Sequence, residues 1–370
     1  RSDPVKPAII DWILSAISVA TLVYSSLNWD KVSNRIQLME DLTTPELMFG
    51  SALFLLSLEA TRRTTGFGLT SVVLLFIAYN FWGHNFEGIL NHGYIDYNHF
   101  IDIMIFGLDG ILGLPIRVAA SYAFLFVLFG AVLHKAKGGE FFFDLAASIS
   151  GKQVGGVAKI AVVSSGLYGM VSGSPTSDVV TTGSITIPMM KRMGYNGAVA
   201  GAIEVSASTG GSLLPPVMGS AAFMMAEYTG IEYRDIAISA FLPAVLYYAS
   251  VYAQVHFRSV KLGFLGLEAD QIPPVWQTLK NGVLFLVPLG VLTTALLIGY
   301  TPTTVALFGT VTLLATAAVK KDTRVGLVDF VKTAADTSVR MVTVTGACAA
   351  AGLVTAGLTM TGLVGKFAHI

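Results

Sequence analysis

SSGLYGMVSGSPTSDVVTTGSITIPMMKRMGYNGAVAGAIEVSASTGGSLLPPVMG, residues 164–219, contains two apolar segments that each fail in the middle. The first breaks at Ser172-Gly173-Ser174-Pro175-Thr176-Ser177-Asp178. The second breaks at Ser206-Ala207-Ser208-Thr209-Gly210-Gly211-Ser212 and is closed by Pro215-Pro216. An interrupted helix at membrane depth exposes backbone groups that lipid cannot satisfy. Such breaks survive only when buried in protein or lining a watery cavity. Two of them in neighbouring segments are the sequence mark of a transporter's binding site. The stretch therefore points to the ion and substrate site of a membrane carrier.

Composition supports a bilayer setting. The 370 residues are 54% hydrophobic and only 12% charged, with a mean hydropathy of +0.68. A soluble domain carries about 25% charged residues. Several apolar runs reach the roughly 20 residues that cross a bilayer, so the chain reads as an all-α polytopic membrane protein. The formal net charge of +0 offers nothing to nucleic acid. The single cysteine, Cys348, excludes an intrachain disulfide and a cysteine-based metal cluster, and reads as a small packing residue. The chain begins at Arg1, and no charged segment with a small-residue cleavage site precedes the first span. The natural N-terminus is expected upstream.

Outward from the broken stretch, spans are expected at 9–28, 44–60, 66–82, 116–133, 233–257, 281–299 and 303–319, with a final apolar segment at 340–367. Thr44-Pro45 opens its helix as capping and an early proline predict. Segments 140–150 and 323–337 are amphipathic and too short to span, and read as helices lying along the surface. Residues 100–113, with Asp102 and Asp109, are expected partly in the interface. Residues 83–99 hold His84, His92 and His99 with Asp96 nearby. The residue types suit a metal, but the spacing matches no compact zinc pattern, and an interfacial loop is the better reading.

Basic residues orient the chain. Arg62-Arg63, Lys135 and Lys137, Lys191-Arg192, Arg258 and Lys261, and Lys320-Lys321 all fall on the cytoplasmic side only if 157–192 enters and leaves on one face. A single crossing would put Lys191-Arg192 outside. The charge pattern thus makes 157–192 a re-entrant hairpin with Ser172–Asp178 at its tip. The loops at 30–41 and 83–99 fall outside.

A weak internal repeat is present in two possible registers. One sets 116–192 beside a region beginning at 303–337. The other sets VAASYAFLFVLFGAVLHKAKGGEFF (118–142) beside VTGACAAAGLVTAGLTMTGLVGKFA (344–368). The second is preferred, because 340–370 has no counterpart of the Ser174–Thr176 break. On that register a second hairpin follows Ile370. Repeats related by an axis in the membrane plane are expected in secondary transporters.

At Ser172–Asp178, hydroxyls, freed carbonyls and one carboxylate converge, the oxygen ligands a hard cation such as Na⁺ takes. Asp178 is either an ion ligand or, with the serines, a cap for the helix that follows; the two roles are compatible. At Ser206–Gly211 the glycines either let backbone approach a ligand or pack helices closely, and the following Pro215-Pro216 favours an unwound, ligand-facing break. Glu204 is a proton- or ion-coupling group, or a partner for Lys191 or Arg192.

VSGSPTSDVVTTGSITIPMMKRMGY followed by AGAIEVSASTGGSLLPPVMGSAAFMMAEYTGI resembles the membrane component of tripartite ATP-independent periplasmic (TRAP) transporters, most of all the fused permeases that work with TAXI-type binding proteins. LFLLSLEATRRTTG, FLFVLFGAVL and EADQIPP add to the resemblance. It implies an inverted-repeat elevator transporter in the bacterial inner membrane. A periplasmic substrate-binding protein delivers a small organic acid and a sodium gradient drives uptake. No cofactor beyond the Na⁺ is implied, and no enzymatic activity. Residues 1–110 would form a fused small-subunit portion and its connection. Residues 111–279 would form the first repeat, with hairpin 157–192 and broken helix 196–228. Residues 280–370 would start a second repeat. Ser172, Gly173, Ser174, Thr176 and Asp178, with Ser206, Ser208, Thr209, Gly210 and Gly211, match the family's first sodium site. Ser174, Pro175, Thr176, Thr181, Ser212 and Pro215 match one side of its substrate pocket. The family's fused chains extend past both ends of this sequence, so truncation at both ends is expected.

Two other readings compete. A single-component, ion-coupled carboxylate carrier shares hairpins and broken helices but needs no binding protein. An intramembrane serine hydrolase using Ser172 or Ser174 needs a base within reach, and the six histidines (His84, His92, His99, His134, His256, His369) all fall in loops or near span ends.

Overall fold

The computed structural model describes residues 7–368, which are helical and contain no strand. His369 lies outside the described residues. Six helical segments among them are long and apolar enough to cross a membrane: Ile9–Leu27, Phe67–Asn85, Leu114–Lys135, Tyr233–Lys261, Ala269–Ile298 and Leu327–Met360. Pro302–Ala317 is apolar but shorter. The chain divides into two compact units, one of residues 1–120 with 340–370 and one of residues 121–339.

In the first unit, Thr44–Thr65 starts on a reciprocal cap. The Thr43 N–H and hydroxyl both donate to the Glu46 carboxylate, at 2.7 and 2.6 Å, and Pro45 occupies the first turn. The core gathers Phe54, Val73, Phe100, Ile101, Met104 and Ile105 with Ala350, Leu353 and Ala356. Phe100, Ile101, Asp102, Met104 and Ile105 are therefore buried within the unit. They form a short helix, Tyr97–Ile101, that widens into a π-helical turn at Asp102–Phe106. Asp102 sits there because Arg35 reaches it: Nη1 lies 2.7 Å from Oδ1, and both side chains are almost wholly buried. The Leu38 N–H donates to the other carboxylate oxygen at 3.0 Å. His92 is also buried, its ring nitrogens 2.7 Å from the Gly93 carbonyl and 3.0 Å from that of Tyr79.

The second unit is built on the hairpin. The amphipathic helix Gly138–Ser150 buries Phe141, Phe142, Ala146 and Ala147. The Phe141 ring stacks on Phe285 at 5.6 Å, close to the glycine gap at Gly282. Val157, Ala158, Ala161 and Val162 of the hairpin's first arm pack with Met190, Ala200, Ile203, Ala207 and Val255.

The expected surface helix at 323–337 does not exist as a separate element. Leu327–Met360 is one helix, because no glycine or proline lies between Leu327 and Thr345 to interrupt it. This removes the first repeat register. A turn at Ala136–Lys137 precedes the helix Gly138–Ser150, and a turn at Thr361–Gly362 precedes Leu363–Ala368.

Removing one partner of a buried ion pair leaves an uncompensated charge, at a cost of about 3–5 kcal/mol. Asp102→Ala is therefore expected to lower the thermal unfolding midpoint of the detergent-solubilised protein markedly. The double change Arg35→Leu/Asp102→Leu should recover most of that loss.

Candidate ion and substrate site

The hairpin is two helical arms with a two-residue turn. The first arm, Gly156–Ser172, ends on Gly173, whose φ of +61° is the left-handed conformation that closes helices without steric cost to glycine. A side chain at Gly173 would also collide with the Met218 carbonyl. Ser174 is extended (φ −128°, ψ 94°), as a residue before proline prefers. Pro175 then opens the second arm at its first position. That arm runs Pro175–Thr181 and, past a kink at Thr182, Gly183–Arg192. The non-helical tip is thus Gly173-Ser174 alone. Asp178 lies inside the second arm and caps nothing; Ser174 holds the cap position without a side-chain cap bond.

The second break is displaced from the expected one. Gly197–Gly211 is a continuous helix, and the chain leaves it only at Ser212, resuming at Ser220. Ser206, Ser208, Thr209, Gly210 and Gly211 are therefore helical, and the unwound segment is 212–219. Two prolines without N–H groups, Pro215 and Pro216, prevent a helix there. The glycines serve close packing instead. A Cβ on Gly211 would sit 2.5 Å from the Gly169 Cα, and one on Gly210 would sit 2.5 Å from the Tyr247 ring.

The two breaks meet. The Val217 N–H donates to the Met170 carbonyl at 3.2 Å, and the Gly219 N–H donates to Ser212 at 2.8 Å. The buried Tyr233 hydroxyl faces the carbonyls of Pro216 (3.1 Å) and Val217. Sequence reading missed Tyr233, Tyr247 and Tyr248. The last two donate to the Ser206 and Ala207 carbonyls at 2.8 and 2.7 Å. Nothing local in the sequence links a tyrosine to a helix forty residues earlier.

Asp178 is fully buried. One carboxylate oxygen accepts from the Ser172 hydroxyl, which in turn accepts from the Ser174 N–H at 3.2 Å. The other oxygen, Oδ2, has no partner, and the buried Ser208 hydroxyl has none either. Oδ2 lies 2.9 Å from where a Cβ on Gly169 would be, at the Gly169–Gly211 crossing. Ser208 precedes Gly211 by three residues, which puts both on one face of the helix. Ser172, Asp178 and the Gly169–Gly211 crossing are thus brought together, and Ser208 lies on the helix face that carries Gly211.

Other expected site residues are not. Thr176 and Thr209 are exposed, and Thr209 bonds back to the Val205 carbonyl at 2.7 Å. The Ser206 carbonyl is taken by Tyr247. Ser174 and Pro175 at the tip and Ser212 and Pro215 in the second break are half-buried, as is Thr181, which lies at the far end of the Pro175–Thr181 helix.

Glu204 is fully buried and does not pair with Lys191 or Arg192. Its carboxylate accepts from Ser165 (2.7 Å), Thr182 (2.5 Å) and Thr186. It therefore ties both hairpin arms to the 197–211 helix. Thr182 and Thr186 stand one turn apart on one face, and that spacing was the available signal.

Because Gly211 faces backbone rather than a movable side chain, Gly211→Ala is expected to cost about 1–3 kcal/mol by overpacking. Gly201→Ala, where nothing lies within 4 Å of the added carbon, should cost nothing. Thermal unfolding of the two variants measures the difference.

The family model described as the tripartite ATP-independent periplasmic transporter, DctM component, matches residues 52–370. The C4-dicarboxylate TRAP transporter large permease protein DctM of Pseudomonas aeruginosa is 29% identical over 153 residues, 40% of this chain and 35% of the relative. The sialic acid TRAP transporter large permease protein SiaM of Vibrio cholerae is 25% identical over 266 residues, 70% of this chain and 56% of the relative. The sialic acid TRAP transporter permease protein SiaT of Haemophilus influenzae is 23% identical over 259 residues, 68% of this chain and 37% of the relative. The chain thus spans between 35% and 56% of the length of these relatives. Its interrupted helices and the extent of the family match lead to one conclusion: this chain belongs to the DctM-component family of tripartite ATP-independent periplasmic transporters, a family of transporter permeases and not of enzymes.

Proposed function

We propose that this chain is part of the membrane subunit of a secondary transporter in the bacterial inner membrane. It takes up a small organic acid delivered by a periplasmic substrate-binding protein and is driven by sodium. The observation that carries this reading is the fully buried Asp178 Oδ2, which has no partner at the Gly169–Gly211 helix crossing; the buried Ser208 Oγ, also without a partner, lies on the helix face that carries Gly211. A buried carboxylate without a countercharge is costly, and no lysine or arginine pairs with Asp178 among the described residues. A small monovalent cation supplies both the charge and the missing oxygen contacts. Na⁺ fits this all-oxygen donor set; no step beyond binding is assigned to it.

The substrate side is at the breaks, where Ser174 and Ser212 are half-buried, with Thr181 farther along the second arm. A carboxylate there can accept from hydroxyls and from the first N–H groups of the second arm, at the positive end of its dipole. The names of the relatives, which include carriers of C4-dicarboxylates and sialic acid, support an acidic cargo. The basic-residue pattern supports a hairpin that enters from the cytoplasmic side, and the family likeness supports an elevator movement of the hairpin with the broken helix. The three hydroxyl bonds to Glu204 would hold those parts as one body.

Uptake of candidate organic acids by the full-length protein in liposomes tests the proposal, with and without a sodium gradient and with and without the binding protein. Uptake is expected only with both. Asp178→Ala should reduce it at least a hundredfold, and Asp178→Asn should raise the sodium concentration needed for half-maximal uptake. Sodium-independent uptake that survives Asp178→Ala overturns the ion assignment. Equal uptake without the binding protein returns the reading to a single-component carrier.

A further inference from the structure

A groove of about 870 Å³ runs between the helices Gly197–Gly211 and Tyr233–Lys261, on the side away from Asp178. One wall is Val199, Ala202 and Ile203, and the other is Val251 and Val255; Arg258 and Lys261 stand at its mouth. Both basic residues are exposed, and neither forms an ion pair among the described residues. Acidic residues are missing from the neighbourhood in sequence: none occurs in 191–203 or in 236–267, while Lys191 and Arg192 do. The Lys191 side chain lies beside Gly197 at the start of the facing wall, with Cε 3.9 Å from the position of a Cβ there.

A further cation stands in the same part of the fold. Lys159 is buried, with its Nζ 2.8 Å from Gln153 Oε1, 3.0 Å from His256 Nδ1 and 4.9 Å from the Tyr252 ring centroid. None of these partners is a carboxylate. The mouth of the groove therefore presents basic side chains, while its walls are mainly apolar, with Ser206 and Gln254 the polar exceptions.

Length adds a second constraint. From Val251 to Lys261 the helix rises about 15 Å, which matches one leaflet's share of a hydrocarbon core about 30 Å thick. By the distribution of basic residues this mouth is the cytoplasmic end, where basic pockets between spanning helices take lipid headgroups.

We propose that this groove holds an anionic phospholipid, with its headgroup phosphate on Arg258 and Lys261 and one acyl chain along the Ala202 and Val255 walls. Charge complementarity selects a lipid phosphate with no compensating amine. The apolar depth selects an acyl chain over a soluble phosphate ion.

The test uses the full-length protein, stripped in detergent and reloaded from phosphatidylglycerol or phosphatidylcholine micelles, with bound lipid counted by native mass spectrometry. Phosphatidylglycerol is expected to be retained at least tenfold over phosphatidylcholine. Arg258→Gln/Lys261→Gln should abolish that preference, while the charge-preserving Arg258→Lys/Lys261→Arg keeps it. Ala202→Trp, which fills the groove and leaves the charges, should expel the lipid; inorganic phosphate at millimolar concentration should not compete. Equal retention of the two lipids overturns the proposal, as does preference surviving the glutamine pair. Cross-linking of a cysteine placed at Ala202 to another segment of the same protein would show a protein occupant instead, and would equally overturn it.

Discussion

A backbone carbonyl or N–H inside a bilayer has no water to bond, and the hairpin unit follows from that constraint. Two helices are interrupted, and each interruption frees polar groups. The structure brings the interruptions together, so that Val217 is bonded to Met170, Gly219 to Ser212, and the carbonyls of Pro216 and Val217 to the Tyr233 hydroxyl. Tyr247 and Tyr248 supply further donors to the carbonyls of the adjoining helix. The freed groups of the second break are thus met from within the break, from the hairpin's first arm and from Tyr233. The oxygens left over, on Asp178 and Ser208, are then conspicuous by having no partner.

Close approach makes this mutual cover possible. Gly169 and Gly211 meet backbone to backbone, and Gly173 nests against the Met218 carbonyl. In lipid, where apolar surface gains little from burial against other apolar surface, small residues and hydrogen bonds carry helix association. Glu204 is the clearest example of the second kind: one carboxylate serves three hydroxyls from two arms of the hairpin. Such a fastening resists relative movement of its members while leaving them free to move together.

The bilayer reading, a turn near Ser174-Pro175 that divides 157–192 into two helical arms, and the positions of most helices were legible in the linear chain. Apolar length, the basic-residue pattern and the Gly-Ser-Pro turn are local signals and act over a few residues. What misled the reading was the assumption that small and hydroxylic residues mark unwound backbone. Ser206–Gly211 is rich in both and is helical; the break waits until Pro215-Pro216 removes the N–H donors. In the same way the residues around 338 looked like a boundary between amphipathic and apolar segments, yet the helix Leu327–Met360 runs through them because no residue there disfavours helix.

The sequence by itself determined that this is a helical membrane protein with a hairpin and a broken helix side by side, since hydrophobic length and helix-breaking residues are properties of short windows. Only the tertiary structure decided which oxygens meet. Asp178 with Ser172, Gly211 against Gly169, Glu204 among Ser165, Thr182 and Thr186, and Arg35 with Asp102 are pairings across separate elements. They depend on how closely helices approach and on which way each face turns, quantities that no single segment carries. In the opening stretch, 164–219, the two breaks lie against each other, with the buried Asp178 beside the first and the second at 212–219.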